Sequence, residues 1–295
     1  MKLLVTGASG FIGRHIITRL AENKNITVYG MVRPGAQNIN EAAKYVVADL
    51  AEKELVEKIS FSCGSLDVII HVAACLSKNN QDFQLIRSNC YGMLNIIQMA
   101  HQLQCKRFVY ISSIPVIGKP ALRPITEEHF TAPETTYHAT KLFGEHLLML
   151  RENKAFNPII LRLSSPVGKG MNQQTILPVF LDRCSAGQNI VLYGKGTRRQ
   201  NYIDIRDICT AIELAIQSEV CGVYNIASRQ ITSNLELAEM CIKLGNFNVT
   251  IEFSGKDDPE EGDDWDISIE KTIRDLQFKP KYSICDTIQS LLEIE

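Results

Sequence analysis

Short apolar runs alternate with longer amphipathic stretches along the first half of the chain. The runs are rich in β-branched residues, and the stretches between them repeat apolar positions at the spacing of a helix. This alternation is typical of parallel strands that are joined by crossover helices. It predicts helices at about 11–23, 83–103 and 137–152, and strands at 2–6, 27–32, 44–48, 68–71, 107–112 and 158–163.

The pattern is less regular beyond residue 165. Strands are expected at 190–193, 223–227 and 249–253, helices at 176–186, 234–244 and from about 206 to 217, and two short helices after an acidic loop at 256–266. The sequence therefore predicts an α/β fold with two domains. Residues 1–165 would form a doubly wound parallel sheet, and residues 166–295 a smaller mixed α/β domain for the substrate, with some segments returning to the first domain.

Composition and charge narrow the function classes. The chain has 295 residues, of which 33 are acidic and 31 basic, so its net charge is −2. This balance disfavours a nucleic-acid or membrane-surface binder. No apolar run approaches the ~18 residues of a membrane-spanning helix. Nine cysteines without a C-x-x-C pair and six histidines without an H-E-x-x-H motif indicate reduced thiols, a cytoplasmic location and no metal site.

Three glycines lie between the first predicted strand and the first predicted helix. Gly7, Gly10 and Gly13 stand three residues apart in the segment TGASGFIG. Such glycines allow a tight turn, close approach of the backbone to a pyrophosphate, and close packing of the helix on the sheet. The N–H groups and the dipole of the helix N-terminus attract the phosphate. The segment therefore predicts a dinucleotide-binding domain of the Rossmann type.

The end of the second strand decides which dinucleotide binds. A carboxylate about 20 residues beyond the glycines would bind the ribose 2′-hydroxyl of NAD, whereas an arginine would accept the 2′-phosphate of NADP. Residues 27–40 contain no Asp or Glu, and Arg33 lies 20 positions after Gly13 (33 − 13 = 20). Arg14 adds a guanidinium directly after the last glycine. The sequence favours NADP(H), and NAD(H) remains the alternative.

A tyrosine and a lysine suggest the chemistry. Tyr137 and Lys141 lie one turn apart on the same face of a predicted helix. A nearby ammonium stabilises a phenolate and would lower the tyrosine pKa from its ordinary value near ~10. Ser112 and Ser113 follow the fifth strand, at the carboxyl edge where open α/β sheets bind ligands. We therefore expect a proton-transferring tyrosine and a serine that orients a carbonyl or an alcohol.

With these motifs together, the chain resembles the extended branch of the short-chain dehydrogenase/reductase superfamily, which contains nucleotide-sugar epimerases, dehydratases and reductases. The resemblance covers nearly the whole chain. Besides Tyr137 and Lys141, it is carried by the segments VTGASGFIG (5–13), ADL (48–50), HVAA (71–74), ISS (111–113), LRLSSP (161–166) and NYIDIRD (201–207).

The resemblance implies roles for individual residues. Tyr137 would be the acid/base, Lys141 would tune it and hold the nicotinamide ribose, and Ser113 would hold the reacting oxygen. The other residues implied in cofactor binding are Gly7, Ser9, Gly10, Phe11, Ile12, Gly13, Arg14, Arg33, Asp49, Leu50, Val72, Ala73, Ala74, Pro166 and Val167. Those implied in substrate binding, together with Ser113, are Ser112, Ser165, Ile176 and Arg199. The resemblance also implies a homodimer, formed by the helices that start near residues 83 and 137.

Some positions depart from the family pattern. Dehydratases of this family carry an Asp-Glu pair just after the catalytic hydroxyl, whereas Ser113 is followed by Ile114 and Pro115, so dehydration is disfavoured. Members that bind a nucleotide diphosphate often have arginines where this chain has Gln200 and Glu260. The cations close enough to the first position to replace it are Lys195, Arg198 and Arg199.

The resemblance and these departures together favour one function over three alternatives. The favoured function is an NADPH-dependent 4-keto reductase of a nucleotide-activated hexose or deoxyhexose. The first alternative is an NAD-dependent C4 epimerase of a nucleotide sugar, which would use the same residues twice. The other two are an NADPH-dependent reductase of a non-sugar carbonyl and a dinucleotide-binding protein without turnover.

Overall fold

The computed structural model describes residues 1–37, 41 and 43–293, and a parallel sheet lies at its centre. Its strands are β1 (Lys2–Thr6), β2 (Thr27–Val32), β3 (Lys44–Val47), β4 (Val68–His71), β5 (Arg107–Ser113), β6 (Pro158–Leu163) and β10 (Gly222–Ile226). They lie in the order β10-β6-β5-β4-β1-β2-β3 across the sheet. The order reverses between β1 and β4, and open α/β sheets bind their ligands at the carboxyl ends of the strands beside such a reversal.

Helices cover both faces of this sheet. α1 (Phe11–Ala21) and α7 (Ile205–Gln217) pack on the face that contains Leu3 and Val5. α2 (Leu55–Cys63) and α4 (Gly92–Gln102) pack on the opposite face, which contains Leu4. A sheet covered on both faces needs nearly continuous apolar strands instead of alternating ones. Every residue of β6 is buried for this reason.

The long helix predicted at 83–103 consists of three consecutive segments. These are α3 (Phe83–Leu85), a π-helical turn (Ile86–Tyr91) and α4. Gly92 starts α4 against Leu50, where a Cβ at residue 92 would lie 2.7 Å from the Leu50 Cβ. The glycine therefore lets α4 approach the segment after β3.

The C-terminal part adds two small sheets and a separate core. β7 (Ser165–Val167), β9 (Arg199–Asp204) and β11 (Ile231–Ser233) form one sheet, and β8 (Ile190–Leu192) and β12 (Ile251–Phe253) form the other. α6 (Ile176–Ser185), α8 (Asn234–Leu244) and α10 (Ile284–Leu292) pack around their own apolar cluster. The remaining helices are α5 (Thr136–Met149) and α9 (Glu270–Leu276), with short 3₁₀ turns at Ile114–Ile117 and Arg151–Phe156.

The predicted α/β fold is confirmed, and β1, β2, β4 and β6 have the predicted bounds. β10 and α7 come from the part assigned to the second domain. β10 is the edge strand of the parallel sheet beside β6, and α7 packs on one face of that sheet. The boundary near residue 165 itself stays a prediction. α2, β7 and β11 were not predicted, although apolar residues at 55, 59 and 63 repeat with a helical spacing.

Three further observations concern the expected cellular setting. All nine cysteines are free thiols. Within residues 1–37, 41 and 43–293, no three His, Cys, Asp or Glu side chains are grouped so as to hold a metal ion. Over the same ranges, every helix is too short or too polar to span a bilayer.

Candidate functional site

The glycine turn after β1 is tightly packed. Gly7 has a φ of +68°, and a Cβ there would lie 2.8 Å from the Cα and N atoms of Ala73. A Cβ at Gly13 would lie 2.1 Å from the Gly7 oxygen, so only glycine lets α1 pack against the turn. Gly10 caps α1 without a side-chain cap bond, which leaves the first N–H groups of the helix open to a phosphate.

A buried hydroxyl ties this turn to the next strand of the sheet. Thr6 Oγ1 lies 2.8 Å from His71 Nδ1 and accepts a hydrogen bond of 3.1 Å from the Ala73 backbone N–H. Burial and the charge of Lys141 lower the pKa of His71 to about 3, so its ring is neutral. The Thr6 contact therefore fixes the backbone of Ala73 beside Gly7.

A cavity of about 520 Å³ begins at this turn and continues along the carboxyl edge of the sheet. Arg33 and Asp49 lie at one end of it, and Tyr137, Lys141 and Ser113 line the other. Further predicted cofactor residues in its wall are Gly7, Ser9, Gly10, Phe11, Ile12, Leu50, Val72, Ala73, Ala74 and Pro166. The glycine cradle, the open helix N-terminus and the elongated cavity fit a dinucleotide.

The Arg33 end of the cavity has positive charge beside one carboxylate. Val32 and Arg33 stand where an NAD-binding carboxylate would be expected, and both line the cavity. Asp49 Oδ1 accepts the Ala51 N–H at 2.8 Å, and Arg87 Nη1 lies 3.6 Å from Asp49 Oδ2.

At the other end, α5 brings the proposed acid/base to the strand edge. The Thr135 side chain caps α5, which begins at residue 136, so Tyr137 lies in its first turn. Lys141 is buried, and its Nζ donates to the Ile111 oxygen at 2.8 Å. Among the described residues, no hydrogen bond uses the side-chain hydroxyl of Ser113 or Tyr137. Both hydroxyls are therefore available to a reacting oxygen.

Burial shifts the pKa values of the pair. It raises the pKa of Tyr137 to about 12 and lowers that of Lys141 to about 8, against the opposing charge of Glu145. The expectation that Lys141 lowers the tyrosine pKa is thus reversed. The Lys141 ammonium is bound to a backbone carbonyl and stands 6.0 Å from the centre of the Tyr137 ring.

A buried ion pair supports this end of the cavity from behind. Glu145, one turn after Lys141, accepts from Arg162 Nε at 3.0 Å and from Arg162 Nη2 at 2.7 Å. The Ser112 hydroxyl donates to the same carboxylate at 2.5 Å. Ser112 reaches the cavity wall, but its hydroxyl is already used, so this contact fixes the strand end that carries Ser113.

A second cavity of about 330 Å³ adjoins the first and shares Ser113, Ser164 and Pro166 with it. The predicted substrate residue Ser165 lies in its wall. Residues of this wall that the sequence reasoning did not assign to the site include Lys119, Glu134, Thr135, His138, Asp263 and Trp265. They come from the loop before α5, from the first turn of α5 and from the acidic loop, and these segments meet only in the folded chain.

Gln200 and Glu260, which stand where members of the family often have arginines, both contact Arg198. Arg198 forms an ion pair with Glu260. With the Gln200 amide turned toward the guanidinium, Arg198 Nε and Nη2 donate to its oxygen at 3.0 Å each. Arg198 lines the smaller cavity, whereas Arg199 pairs with Asp264 at 3.2 Å and stands apart from both cavity walls in the described structure.

Four other predicted residues also lie outside the residues that line the two cavities. Gly13 acts through packing, and Val167 and Ile176 belong to the apolar cluster of the C-terminal part. Arg14 Nη2 donates to the Gly170 oxygen at 2.7 Å and so binds the loop after β7 instead of projecting into the cavity. Met171, Asn172 and Thr175 of that loop and its continuation do line the cofactor cavity.

Comparison with known proteins finds relatives that are named as sugar-nucleotide enzymes and that match nearly the whole chain. A putative UDP-glucose 4-epimerase of Methanocaldococcus jannaschii is 28% identical over 304 residues, which cover 98% of this chain and 97% of the relative. A dTDP-glucose 4,6-dehydratase of Streptomyces niveus is 25% identical over 312 residues, which cover 99% and 92%.

Solved structures share the fold. The UDP-glucose 4-epimerase of Thermotoga maritima with UDP-glucose superposes with a TM-score of 0.91 at 20% identity, over 99% of this chain and 98% of that one. The UDP-glucuronic acid 4-epimerase of Bacillus cereus, in complex with UDP-glucuronic acid and NAD, gives 0.87 at 24% identity over the same shares.

The family itself is decided by a match over most of the chain. The protein-family model that matches residues 3–227 describes the NAD dependent epimerase/dehydratase family. This range contains the glycine turn, Ser113, Tyr137 and Lys141, and six of the seven strands of the sheet lie wholly within it. The chain therefore belongs to the NAD dependent epimerase/dehydratase family, and it is an enzyme of the extended short-chain dehydrogenase/reductase type.

Proposed function

We propose that the protein is an NADPH-dependent reductase of the 4-keto group of a nucleotide-linked hexose or deoxyhexose. The observation that carries this proposal is the junction of the two cavities. There Ser113 lines both cavities, and Tyr137 lines the cofactor side. A carbonyl at this junction can accept hydrogen bonds from both hydroxyls while its sugar and nucleotide extend into the smaller cavity.

The ionisation of the pair suits reduction. A bound NADPH would supply the hydride. The Tyr137 phenol carries its proton at neutral pH, since its ordinary pKa already lies well above 7 and burial raises the pKa further, to about 12, so the phenol can give a proton to the carbonyl oxygen. Ser113 stabilises the negative charge that develops on that oxygen. Lys141 and the Glu145 contacts behind it hold the two groups in place.

The charge of the Arg33 end supports NADP(H). Arg33 and Val32 line the cavity where NAD-specific sites carry a carboxylate, and a guanidinium binds a phosphate with two hydrogen bonds. Asp49 also lines this end, but its Oδ1 accepts the Ala51 N–H and Arg87 stands beside it. The additional phosphate of NADP therefore meets net positive charge.

Arg33→Asp is expected to weaken NADPH binding by about tenfold or more, because it replaces a phosphate ligand by a repelling charge. NADH, which lacks that phosphate, should bind as well as before or better. Fluorescence titration of both dinucleotides measures the ratio of affinities. The exposed Arg229, away from both cavities, gives the control Arg229→Asp with the same change of charge. An unchanged ratio in Arg33→Asp would remove Arg33 from the site.

A C4 epimerase is the second candidate. It is favoured by the Methanocaldococcus jannaschii relative, which is named as a UDP-glucose 4-epimerase and matches 98% of this chain. An epimerase begins by taking a proton from a sugar hydroxyl, for which Tyr137 would have to be ionised. Dehydration is disfavoured, because the buried Ile114 and the half-buried Pro115 follow Ser113 and offer no proton-transferring side chain.

One experiment separates these functions. The dinucleotide that accompanies freshly purified protein is first identified. The protein is then incubated with NADPH and either UDP-4-keto-6-deoxyglucose or a small non-sugar ketone or aldehyde, and separately with UDP-glucose alone. NADPH oxidation with an exchangeable dinucleotide is the expected result. Retained NAD with formation of UDP-galactose would replace the reductase by the epimerase. Reduction only of small non-sugar carbonyls, or no turnover with any of them, would overturn the nucleotide-sugar assignment.

The phosphates of such a substrate need a cation. In the described part of the smaller cavity wall, the basic side chains are Lys119 and Arg198. Arg198 is held between Gln200 and Glu260. We assign phosphate binding to Arg198, since a guanidinium can leave a partly exposed carboxylate for a doubly charged ligand.

A homodimer and a cytoplasmic location also stay proposals. Phe83, Ile86 and Leu94 expose apolar side chains on the helices implied in dimerisation, which suits a second copy of this chain. Ile97 and Leu148 on the same helices are buried in the core beneath the sheet and are not available for that contact. The mass of the protein in solution would check the dimer.

A further inference from the structure

His138 follows Tyr137 directly but faces the other cavity. Tyr137 and Lys141 line the cofactor cavity, whereas His138 lines the smaller one. The centres of the Tyr137 and His138 rings are 5.1 Å apart. Two successive residues at the start of α5 therefore stand on either side of the place where a substrate carbonyl would meet the Tyr137 hydroxyl.

The cap of α5 also orients the His138 ring. Thr135 Oγ1 accepts the His138 backbone N–H at 3.2 Å and lies 2.8 Å from His138 Nδ1. Among the described residues, His138 Nδ1 is the one acceptor that the Thr135 hydroxyl contacts, so the hydroxyl proton is directed to Nδ1. A neutral imidazole carries one ring proton, which is then on Nε2.

Nε2 is the group left without a partner. In the described part of the chain, no hydrogen bond uses this atom, although the side chain lines the cavity. The ring is neutral, because burial and the Lys141 ammonium lower the pKa of His138. The charged residues in the same wall are Lys119, Glu134, Arg198, Glu260 and Asp263. The cavity thus offers a neutral N–H donor, held in a fixed direction beside the acid/base.

We propose that His138 is a specificity-determining residue whose Nε2–H binds a hydroxyl oxygen on the carbon next to the reacting carbonyl. A neutral donor suits a neutral hydroxyl, whereas anions are bound more strongly by charged donors. This inference rests on the proposed function. In a 4-keto hexose, the carbon on one side of C4 carries the C3 hydroxyl, and the carbon on the other side carries no free hydroxyl. His138 therefore selects for the C3 hydroxyl.

The test compares two substrates in two proteins. The substrates are UDP-4-keto-6-deoxyglucose and its 3-deoxy analogue, and NADPH oxidation gives kcat and KM. In the wild-type protein, loss of the 3-hydroxyl is expected to lower kcat/KM by about 10- to 100-fold, as for a hydrogen-bonding site left without its partner. In His138→Phe the two substrates should be used equally, at the rate of the wild-type protein with the analogue. His138→Gln, which keeps a neutral N–H donor, should restore part of the preference.

Two controls exclude a merely structural effect. The Thr135 cap bond comes from the backbone of residue 138, so His138→Phe keeps the start of α5, and NADPH affinity should be unchanged. His146→Phe alters an exposed histidine on the same helix and should retain the full preference. An equal 3-hydroxyl preference in the wild-type protein and His138→Phe would overturn the proposal.

Failure of the proposed function has a different signature. If the wild-type protein reduces neither sugar, the reductase assignment fails, and a long-range ¹H–¹⁵N NMR spectrum of the histidine rings decides about His138, because it tells which ring nitrogen carries the proton. A His138 ring that is protonated on Nε2 at neutral pH, identified by its absence from the spectrum of His138→Phe, would support the neutral donor. A ring protonated on Nδ1, or on both nitrogens, would overturn it.

Discussion

Tyr137→Phe is expected to lower kcat by about 10²- to 10⁴-fold, the range in which a positioned general acid contributes to a reaction. The variant keeps the ring that lines the cofactor cavity and loses only the hydroxyl, which no hydrogen bond among the described residues uses. The proton for the carbonyl oxygen would then have to come from water. KM should change much less than kcat, because the lost interaction is made mainly in the transition state.

Steady-state kinetics with NADPH and the 4-keto sugar measure this loss, and fluorescence titration shows whether NADPH still binds. Tyr193→Phe is the matched control, since Tyr193 is exposed and lies away from both cavities. A Tyr137→Phe variant that works at the wild-type rate would remove Tyr137 as the proton donor. Retained NADPH binding without turnover would support its role.

The second large effect is expected on stability. Glu145→Ala should lower the free energy of unfolding by about 3–5 kcal/mol, because it leaves the Arg162 guanidinium buried without its counter-charge. Both side chains are at most 5% exposed, and Arg162 donates to Glu145 through two nitrogens. The Ser112 hydroxyl also loses its acceptor.

Urea unfolding of the wild-type protein and the variants measures this difference. Glu213→Ala, which breaks the solvent-exposed pair with Arg19, should cost less than about 1 kcal/mol. The double variant Glu145→Leu/Arg162→Leu should be more stable than either single one, because no unpaired charge stays buried. A loss below about 1 kcal/mol in Glu145→Ala would show that the pair contributes little.

The sheet could be predicted from the sequence because each buried strand is a short apolar run. β1, β2, β4 and β6 therefore end where the run ends. Periodicity could not show the π-helical turn at Ile86–Tyr91, since the buried residues Leu85, Asn89 and Met93 are four positions apart, a spacing that an uninterrupted α-helix also gives. That turn carries Asn89, which accepts the Cys75 N–H at 2.7 Å and donates to Thr140 Oγ1 at 2.9 Å.

The site was predictable where the motif itself places the residue. Ser113, Tyr137 and Lys141 meet in one cavity, as their positions at a strand end and on a helix face imply. Spacing does not tell how deeply a helix lies, so the rise of the Tyr137 pKa by burial was not foreseen. Nor does it tell which of two adjacent arginines faces a cavity. Arg198 does so, whereas Arg199 contacts Asp264.

The return of β10 to the parallel sheet has a consequence for how the chain can be divided. β6 lies between β5 and β10, and α7 covers one face of the same sheet. A fragment that ends at residue 165 would leave the apolar β6 as an open edge beside an uncovered face, and exposed apolar edges recruit strands from other molecules. The dinucleotide-binding half therefore depends on later residues for its solubility, and a nascent chain can complete it only after residue 226 has left the ribosome.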